Sequence, residues 1–395
     1  MKTAGIICEY NPLHEGHVLH MRQTRDALGE DCGIVCAMSG NFVQRGSFAV
    51  FEKHARARAA VECGADLVIE LPTAVSLSSA QRYAEGAVRL LDAFGACTHL
   101  SFGSEAGDLS ALTPIAECLG SGEAETVIKE ELKKGASYAA ARQKAAETLL
   151  GDRASVLATP NNLLAVEYLT ALSSAGSKMT PLTVKRTGGE HDGYAGLSAS
   201  AVRSLLLTGE YAWDNVPEAA ARIFREEMDA GRGPVSGEIC EEAVLAVLRR
   251  MSKEDYVNLP DAGEGLGERL YRFAVTEPTT ADVLMQTKTK RYTFSRLRRM
   301  VMCAYLGITA GDMDVPPAYI KVLAMNGRGR EILRSASERC TLPIITKPAS
   351  ALSMPEAVTD AFVREAKMTD LYVLAFPDAR QRAGGQEFRL SPAAL

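Results

Sequence analysis

Short apolar, β-branched runs recur through the first half of the chain, and the stretches between them carry apolar residues at the spacing of one helical face. The runs Gly5 to Cys8, Ile34 to Met38, Leu67 to Leu71, Thr98 to Phe102 and Leu182 to Lys185 read as strands. Glu52 to Cys63 and Ala80 to Phe94 read as helices. The long gap before the last strand has room for two or three more, over Leu109 to Gly120, Glu123 to Leu150 and Asn162 to Leu172. Strands alternating with helices are the rhythm of βαβ units, which predicts an α/β fold built on a parallel sheet. Such sheets bind ligands outside the carboxyl ends of their strands, so the residues just after each run are where chemistry is expected.

Beyond about Gly209 the strand rhythm stops. The chain becomes helical, punctuated by the turn signals Gly231-Arg232-Gly233-Pro234 and Asp261-Ala262-Gly263-Glu264-Gly265. At 395 residues the chain exceeds the size at which a single core usually stops growing. Two domains are therefore expected, 1–208 carrying the sheet and 209–395 mostly helical. A strand-like pair, Tyr319 to Met325 and Leu342 to Thr346, predicts a small α/β element around the turn Asn326-Gly327-Arg328-Gly329-Arg330.

Composition changes this picture little: 47% hydrophobic and 24% charged residues describe an ordinary globular chain. Charge is more informative. The formal net charge is −5, so any nucleic-acid contact must come from a local basic patch. The nine cysteines form no C-x-x-C pair and read as reduced thiols. The apolar run at the N-terminus is too short for a signal peptide, and no stretch approaches a membrane span, so a cytoplasmic protein with no membrane partner is expected.

Directly after the first strand the chain reads Glu9-Tyr10-Asn11-Pro12-Leu13-His14-Glu15-Gly16-His17-Val18-Leu19-His20. Proline turns the chain out of the strand, and a helix can begin near His14. His14, His17 and His20 would then share one helical face at the helix N-terminus, where backbone amides already favour anions. Gly16 leaves room for close approach. The arrangement suits a triphosphate whose α-phosphorus is attacked as pyrophosphate leaves. A zinc site would want a further ligand, and His14-Glu15-Gly16-His17 lacks the H-E-x-x-H spacing, so no metal ligands are assigned.

The segment from Asn11 to His17 resembles the (H/T)-x-G-H signature of the nucleotidylyltransferase superfamily. Together with Ser39-Gly40-Asn41-Phe42-Val43-Gln44-Arg45-Gly46, Gly64 to Pro72, Ser101-Phe102-Gly103-Ser104-Glu105, Pro160-Asn161-Asn162, Lys185-Arg186, Leu197 to Arg203 and Thr287 to Thr293, it resembles the bacterial tRNA(Met) cytidine acetate ligase family over most of the chain. The resemblance implies a Rossmann-like nucleotidyltransferase domain and a mostly helical tRNA-binding domain. It also implies an activity: ATP activates acetate as acetyl-adenylate, and the acetyl group passes to N4 of the wobble cytidine of elongator tRNA(Met).

Carried over by motif, His14 and His17 would be catalytic. The ATP site would comprise Ile7, Cys8, Glu9, Tyr10, Asn11, Pro12, Leu13, His14, Glu15, Gly16, His17, Val18, Leu19 and His20, with Gly103, Asn161 and Arg186. Ser198, Ser200 and Arg203 resemble the superfamily's phosphate-binding helix start, with Ala199 in place of a serine and Ser200 in place of a threonine. Magnesium is expected to accompany ATP, held by phosphates and water.

From Lys288 to Met300 the chain is basic and free of acid, with Lys288, Lys290, Arg291, Arg296, Arg298 and Arg299 interleaved with Tyr292 and Phe294. Such a segment can neutralise phosphates and stack on unpaired bases, so Lys288, Lys290, Arg291, Tyr292, Arg296, Arg298 and Arg299 are the expected tRNA contacts. The bland alternative makes Tyr292, Phe294 and Leu297 core anchors. Two rival functions stand beside the ligase. A small-molecule adenylyltransferase of cofactor synthesis is disfavoured by the long helical half, and a non-catalytic RNA-binding protein by the intact His14-Glu15-Gly16-His17.

Overall fold

In the computed structural model, which describes residues 1–186, 197–210 and 213–395, all five expected strands form within two residues of their expected ends. They are β1 (Thr3–Cys8), β2 (Gly33–Ser39), β5 (Leu67–Leu71), β6 (His99–Ser104) and β7 (Thr180–Lys185). Side by side they run β5-β2-β1-β6-β7, all parallel. The chain builds outward from β1 in one direction through β2 and β5, then returns to place β6 on its other side. The gap between β1 and β6 is therefore a topological switch point, where open α/β sheets bind ligands.

β2 and β5 are buried along their whole length, because helices cover both faces. On one face Val35, Ala37, Leu67 and Ile69 meet the helices Ala80–Phe94 and Pro160–Ser174. On the other, Ile34, Cys36, Met38 and Val68 meet α1 (Glu15–Leu28) and α2 (Lys53–Glu62). The expected helix Glu123 to Leu150 is two, Gly122–Lys133 and Tyr138–Leu150, with Gly135 in a left-handed conformation between them.

Two findings correct the sequence picture. The pair expected to form a small separate element instead extends the main sheet. β8 (Ile320–Met325) pairs antiparallel with β5 and carries β9 (Ile344–Ile345) and β10 (Ala393–Ala394). An apolar strand beside the free edge of β5 gains a ladder of hydrogen bonds that isolation would deny it. The second is a hairpin not foreseen, β3 (Phe42–Val43) with β4 (Ser47–Phe48). Its aromatics Phe42 and Phe48 leave the sheet and enter the core of the C-terminal helices, near Tyr372 and Tyr305.

The division expected at 208/209 is crossed in both directions. Helix Glu218–Asp229 shares a core with α2, with Phe224 stacked on Phe51 at 4.4 Å. Between α2, β5 and β8 lies a buried quartet. Lys53 Nζ is 2.7 Å from Glu70 and 2.8 Å from Glu387, and Lys321 pairs with the same two carboxylates. Two cations and two anions compensate each other there, which burial demands.

Candidate active site

The carboxyl ends of β1 and β6 open onto a cavity of about 590 Å³. Of the run from Ile7 to His20, Ile7, Cys8, Glu9, Tyr10, Asn11, His17 and His20 line it. Pro12, Leu13, His14, Glu15, Gly16, Val18 and Leu19 do not: Pro12, Leu13 and His14 are buried in the turn into α1, and Glu15 and Gly16 face solvent. Gly103, Asn161, Arg186 and Arg203 line it as well. Ser198 and Ser200 do not: Ser198 caps the helix Ala199–Thr208 by accepting from Ala201 N–H, and Ser200 faces the Arg203 guanidinium at 3.4 Å.

The histidines are arranged more tightly than one helical face would give. α1 begins at Glu15, and His14 is its N-cap. His14 Nδ1 accepts from Gly16 N–H at 3.0 Å, while His17 Nδ1 accepts from His14 N–H at 3.2 Å. This is a capping box built from two imidazoles. A side chain at position 16 would put its Cβ 2.7 Å from His14 Cε1, so glycine lets the ring fold back over the helix start. The two rings lie 3.9 Å apart, with Tyr10 4.8 Å from His17.

The capping box decides the chemistry of both rings. Burial, with the Arg186 charge adding to it, holds His14 down at about 4. His17 is pushed well below its usual range by burial, then by His14, Arg186 and His20. Both rings are neutral near pH 7. With Nδ1 accepting, the ring proton is on Nε2, so each neutral imidazole is a donor on its outer side. Among the described residues nothing takes either donor. His20, also held down at about 4 by burial and Arg186, is tied through Nε2 to Ser101 Oγ at 3.0 Å.

Gly103 makes room for Arg186. A Cβ on Gly103 would stand 2.8 Å from Arg186 Cγ, so the arginine crosses the end of β6 toward the histidines. Asn161 is not a helix cap. The helix starts at Pro160 after Thr159, and its first turn is held by Glu105, a residue the sequence reading did not assign. The Glu105 carboxylate accepts from Asn161 Nδ2 at 2.6 Å, Asn162 N–H at 2.7 Å and Thr159 Oγ1 at 3.0 Å. Partial burial alone would raise the pKa of Glu105, but these donors, Asn161 first, hold it below the usual carboxylate range.

Gln44 and Arg45, at the tip of the β3–β4 hairpin, also line the cavity. Their place after β2, at a strand's carboxyl end, was the signal that could have found them. Gln44 N–H donates to Glu9 Oε1 at 2.8 Å. The apolar wall, with Tyr83, Phe102, Leu157 and Tyr168, left no signal, since such residues read as core in any sequence. Behind the site Arg56, fully buried, donates to the carbonyls of Glu9, Ser39, Gly40 and Phe51. One guanidinium thus pins the ends of β1 and β2 together.

The basic segment is less open than its composition suggests. Tyr292 is 7% exposed and belongs to the helical core, so it offers no face for stacking in this structure. Arg299 is 8% exposed and paired with Asp261 at 2.8 Å. Arg296 donates to the Asp261 carbonyl, and Arg291 pairs with Glu264. The turn 261–264 thus consumes charges that the sequence reading assigned to RNA. Lys288 lies 5.5 Å over the Phe294 ring, and Lys290 and Arg298 are exposed.

A row of neutral donors and arginines beside an apolar wall suits an extended anion joined to a flat ring. Among the described residues no group of three or more His, Cys, Asp or Glu converges as a metal site, and no helix is long and apolar enough to cross a membrane.

A family model described as HIGH Nucleotidyl Transferase matches residues 1–387. Proteins named tRNA(Met) cytidine acetate ligase from Acetivibrio thermocellus and Caldanaerobacter subterraneus are 36% and 37% identical, over 98% of both chains and over 95% of this chain and 96% of the relative. The crystal structure of Thermotoga maritima TmcAL bound with alpha-thio ATP is 32% identical and superposes over 100% of both chains with a TM-score of 0.92; its apo form gives 0.93.

Proposed function

The chain belongs to the HIGH nucleotidyltransferases and, within them, to the tRNA(Met) cytidine acetate ligase family, and from that premise we propose that it uses ATP to acetylate N4 of the wobble cytidine of elongator tRNA(Met). One observation carries the reading: two neutral imidazoles, each with an Nε2–H that has no partner among the described residues, at the start of α1 beside a cavity at the sheet's switch point.

In the first step a carboxylate oxygen of acetate attacks the α-phosphorus of ATP in line. The bond to the bridging oxygen breaks, and pyrophosphate leaves with its electron pair. His17, with His14 behind it, donates to the phosphoryl oxygens as charge develops, and the first amides of α1 add their dipole. Arg186 and Arg203 hold the phosphate chain, while Phe102 and Tyr168 exclude water from the adenine side. In the second step the cytidine amine attacks the acetyl carbon of acetyl-adenylate; the bond to the phosphate oxygen breaks, and AMP leaves as the amine loses a proton. Magnesium accompanying ATP would supply charge neutralisation at the phosphates and would be held by them and by water. The cytidine must leave its stack to reach the cavity. We place the tRNA body against the helical part of the chain, with Lys290 and Arg298 as the exposed cations and Lys288 beside them over Phe294, and the enzyme in the cytoplasm with its substrate.

The test is direct: protein, ATP, magnesium, labelled acetate and unmodified tRNA(Met), with the product digested to nucleosides. Label in N4-acetylcytidine that requires ATP is expected. Pyrophosphate released on a phosphorylated small molecule, with no labelled nucleoside, would instead identify a cofactor adenylyltransferase.

Proton uptake gives an independent check. The free site holds His14 and His20 near 4, and a triphosphate beside them favours the charged rings, raising both values. At about pH 5.5, where free rings are neutral, ATP binding is expected to take up protons, and at about pH 8 it is not. Titration calorimetry in two buffers of different ionisation enthalpy measures this. Equal heats in both buffers at the acid pH would place the phosphates away from the histidines.

A further inference from the structure

Arg186 and Arg45 line the cavity from different elements: Arg186 packs against Gly103 at the end of β6, and Arg45 stands at the tip of the β3–β4 hairpin. Arg45 is exposed, lines the cavity, and makes no hydrogen bond or ion pair among the described residues.

The hairpin that carries Arg45 belongs mechanically to the helical part of the chain. Phe42 and Phe48 are buried in that core. At the tip, Gly46 has φ +75 and lies against the start of the Phe294–Leu306 helix, where a Cβ would fall on the backbone nitrogen of Arg299 and 2.8 Å from Arg298 Cβ. Position 46 therefore needs glycine twice over, for its left-handed backbone and for the contact. This contact sets Arg45 one residue from the exposed Arg298, so the open cations of the helical face run to the mouth of the cavity.

We propose that Arg45 binds a backbone phosphate of the tRNA next to the cytidine being acetylated, joining the basic face of the Phe294–Leu306 helix to the cavity. The inference rests on the function proposed above and assigns Arg45 to the transfer step, not to activation of acetate. The hairpin seat fixes its distance from the helix, so one stretch of anticodon-loop backbone can touch Arg298 and Arg45 while its base enters the cavity.

Three measurements on Arg45→Ala and Arg45→Lys test it: acetate-dependent ATP–pyrophosphate exchange without tRNA, the tRNA KM for acetylation, and the salt dependence of tRNA binding. Arg45→Ala should raise the tRNA KM about tenfold and reduce the slope of log affinity against log salt by about 0.7, the share of one single-strand phosphate. The change in tRNA KM should exceed any change in exchange without tRNA by about fivefold or more, since the contact proposed to be lost is to the second substrate. Arg45→Lys should restore the slope. An unchanged tRNA KM and slope, or a loss of exchange with a raised KM for ATP or acetate, overturns the assignment. Wild-type protein that forms no N4-acetylcytidine overturns the underlying function as well, so the two failures are told apart.

Discussion

His17→Ala is expected to lower acetate-dependent ATP–pyrophosphate exchange about 10²- to 10³-fold, the loss that follows removal of one preorganised donor to a developing oxyanion. The ring is held for this task from both sides. His14 N–H occupies its Nδ1 at 3.2 Å, which leaves the proton on Nε2, and the neighbouring rings of His14 and Tyr10 fix its plane. A neutral imidazole loses no proton when it donates, so it serves the entering and the leaving state alike. The objection that alanine merely frays α1 has its own control. Glutamine is the usual partner at this position of a capping box, so His17→Gln keeps an acceptor for His14 N–H while removing the rigid ring donor. If the glutamine variant regains most of the exchange activity, the ring is a cap and not a catalytic group. Continued loss, with helix content and melting temperature unchanged, assigns the effect to chemistry.

The second large effect is on stability. Arg56→Met is expected to destabilise the fold by about 3 to 5 kcal/mol, since each buried acceptor left without a donor costs about 1–3 kcal/mol and four carbonyls lose one here, offset in part by removal of a buried charge. Among the described residues no carboxylate is bonded to Arg56. Its donors go to main-chain carbonyls at the ends of β1 and β2 and in the loop before α2. Methionine fills similar volume but leaves those carbonyls without partners and away from water. Arg56→Lys keeps the charge without the planar fork, and about half the loss should remain. Urea midpoints of the three proteins measure this; an Arg56→Met midpoint equal to wild type would show that water replaces the guanidinium at no cost. Because Glu9 and Gly40 flank the cavity loops, the surviving folded fraction should also bind ATP more weakly.

Much of this molecule is legible in the order of its residues. β-branched runs at regular intervals give parallel strands because a strand covered on both faces has no polar side to show. The segment from Asn11 to His17 is local chemistry: proline, two histidines and a glycine suffice to build the cap, since every contact within it spans three residues or fewer. The basic segment illustrates the opposite case. Its composition announced RNA, yet Tyr292 and Arg299 are spent on the core and on Asp261, because an acidic turn about thirty-five positions earlier folds beneath it. Composition counts charges and does not know which are already paired.

Local pattern therefore establishes elements, the histidine cap and the class of ligand that cap can hold, because hydrogen bonds and periodicity over a few residues need no distant partner. Long-range packing settles the rest. β8 from the C-terminal part closes the edge of β5, Arg56 ties two strand ends that its own helix follows, and Gly46 seats the cavity's rim on the helix that carries Arg298. Each of these contacts joins segments whose sequences are individually unremarkable, and their energy exists only once burial has removed water from both sides.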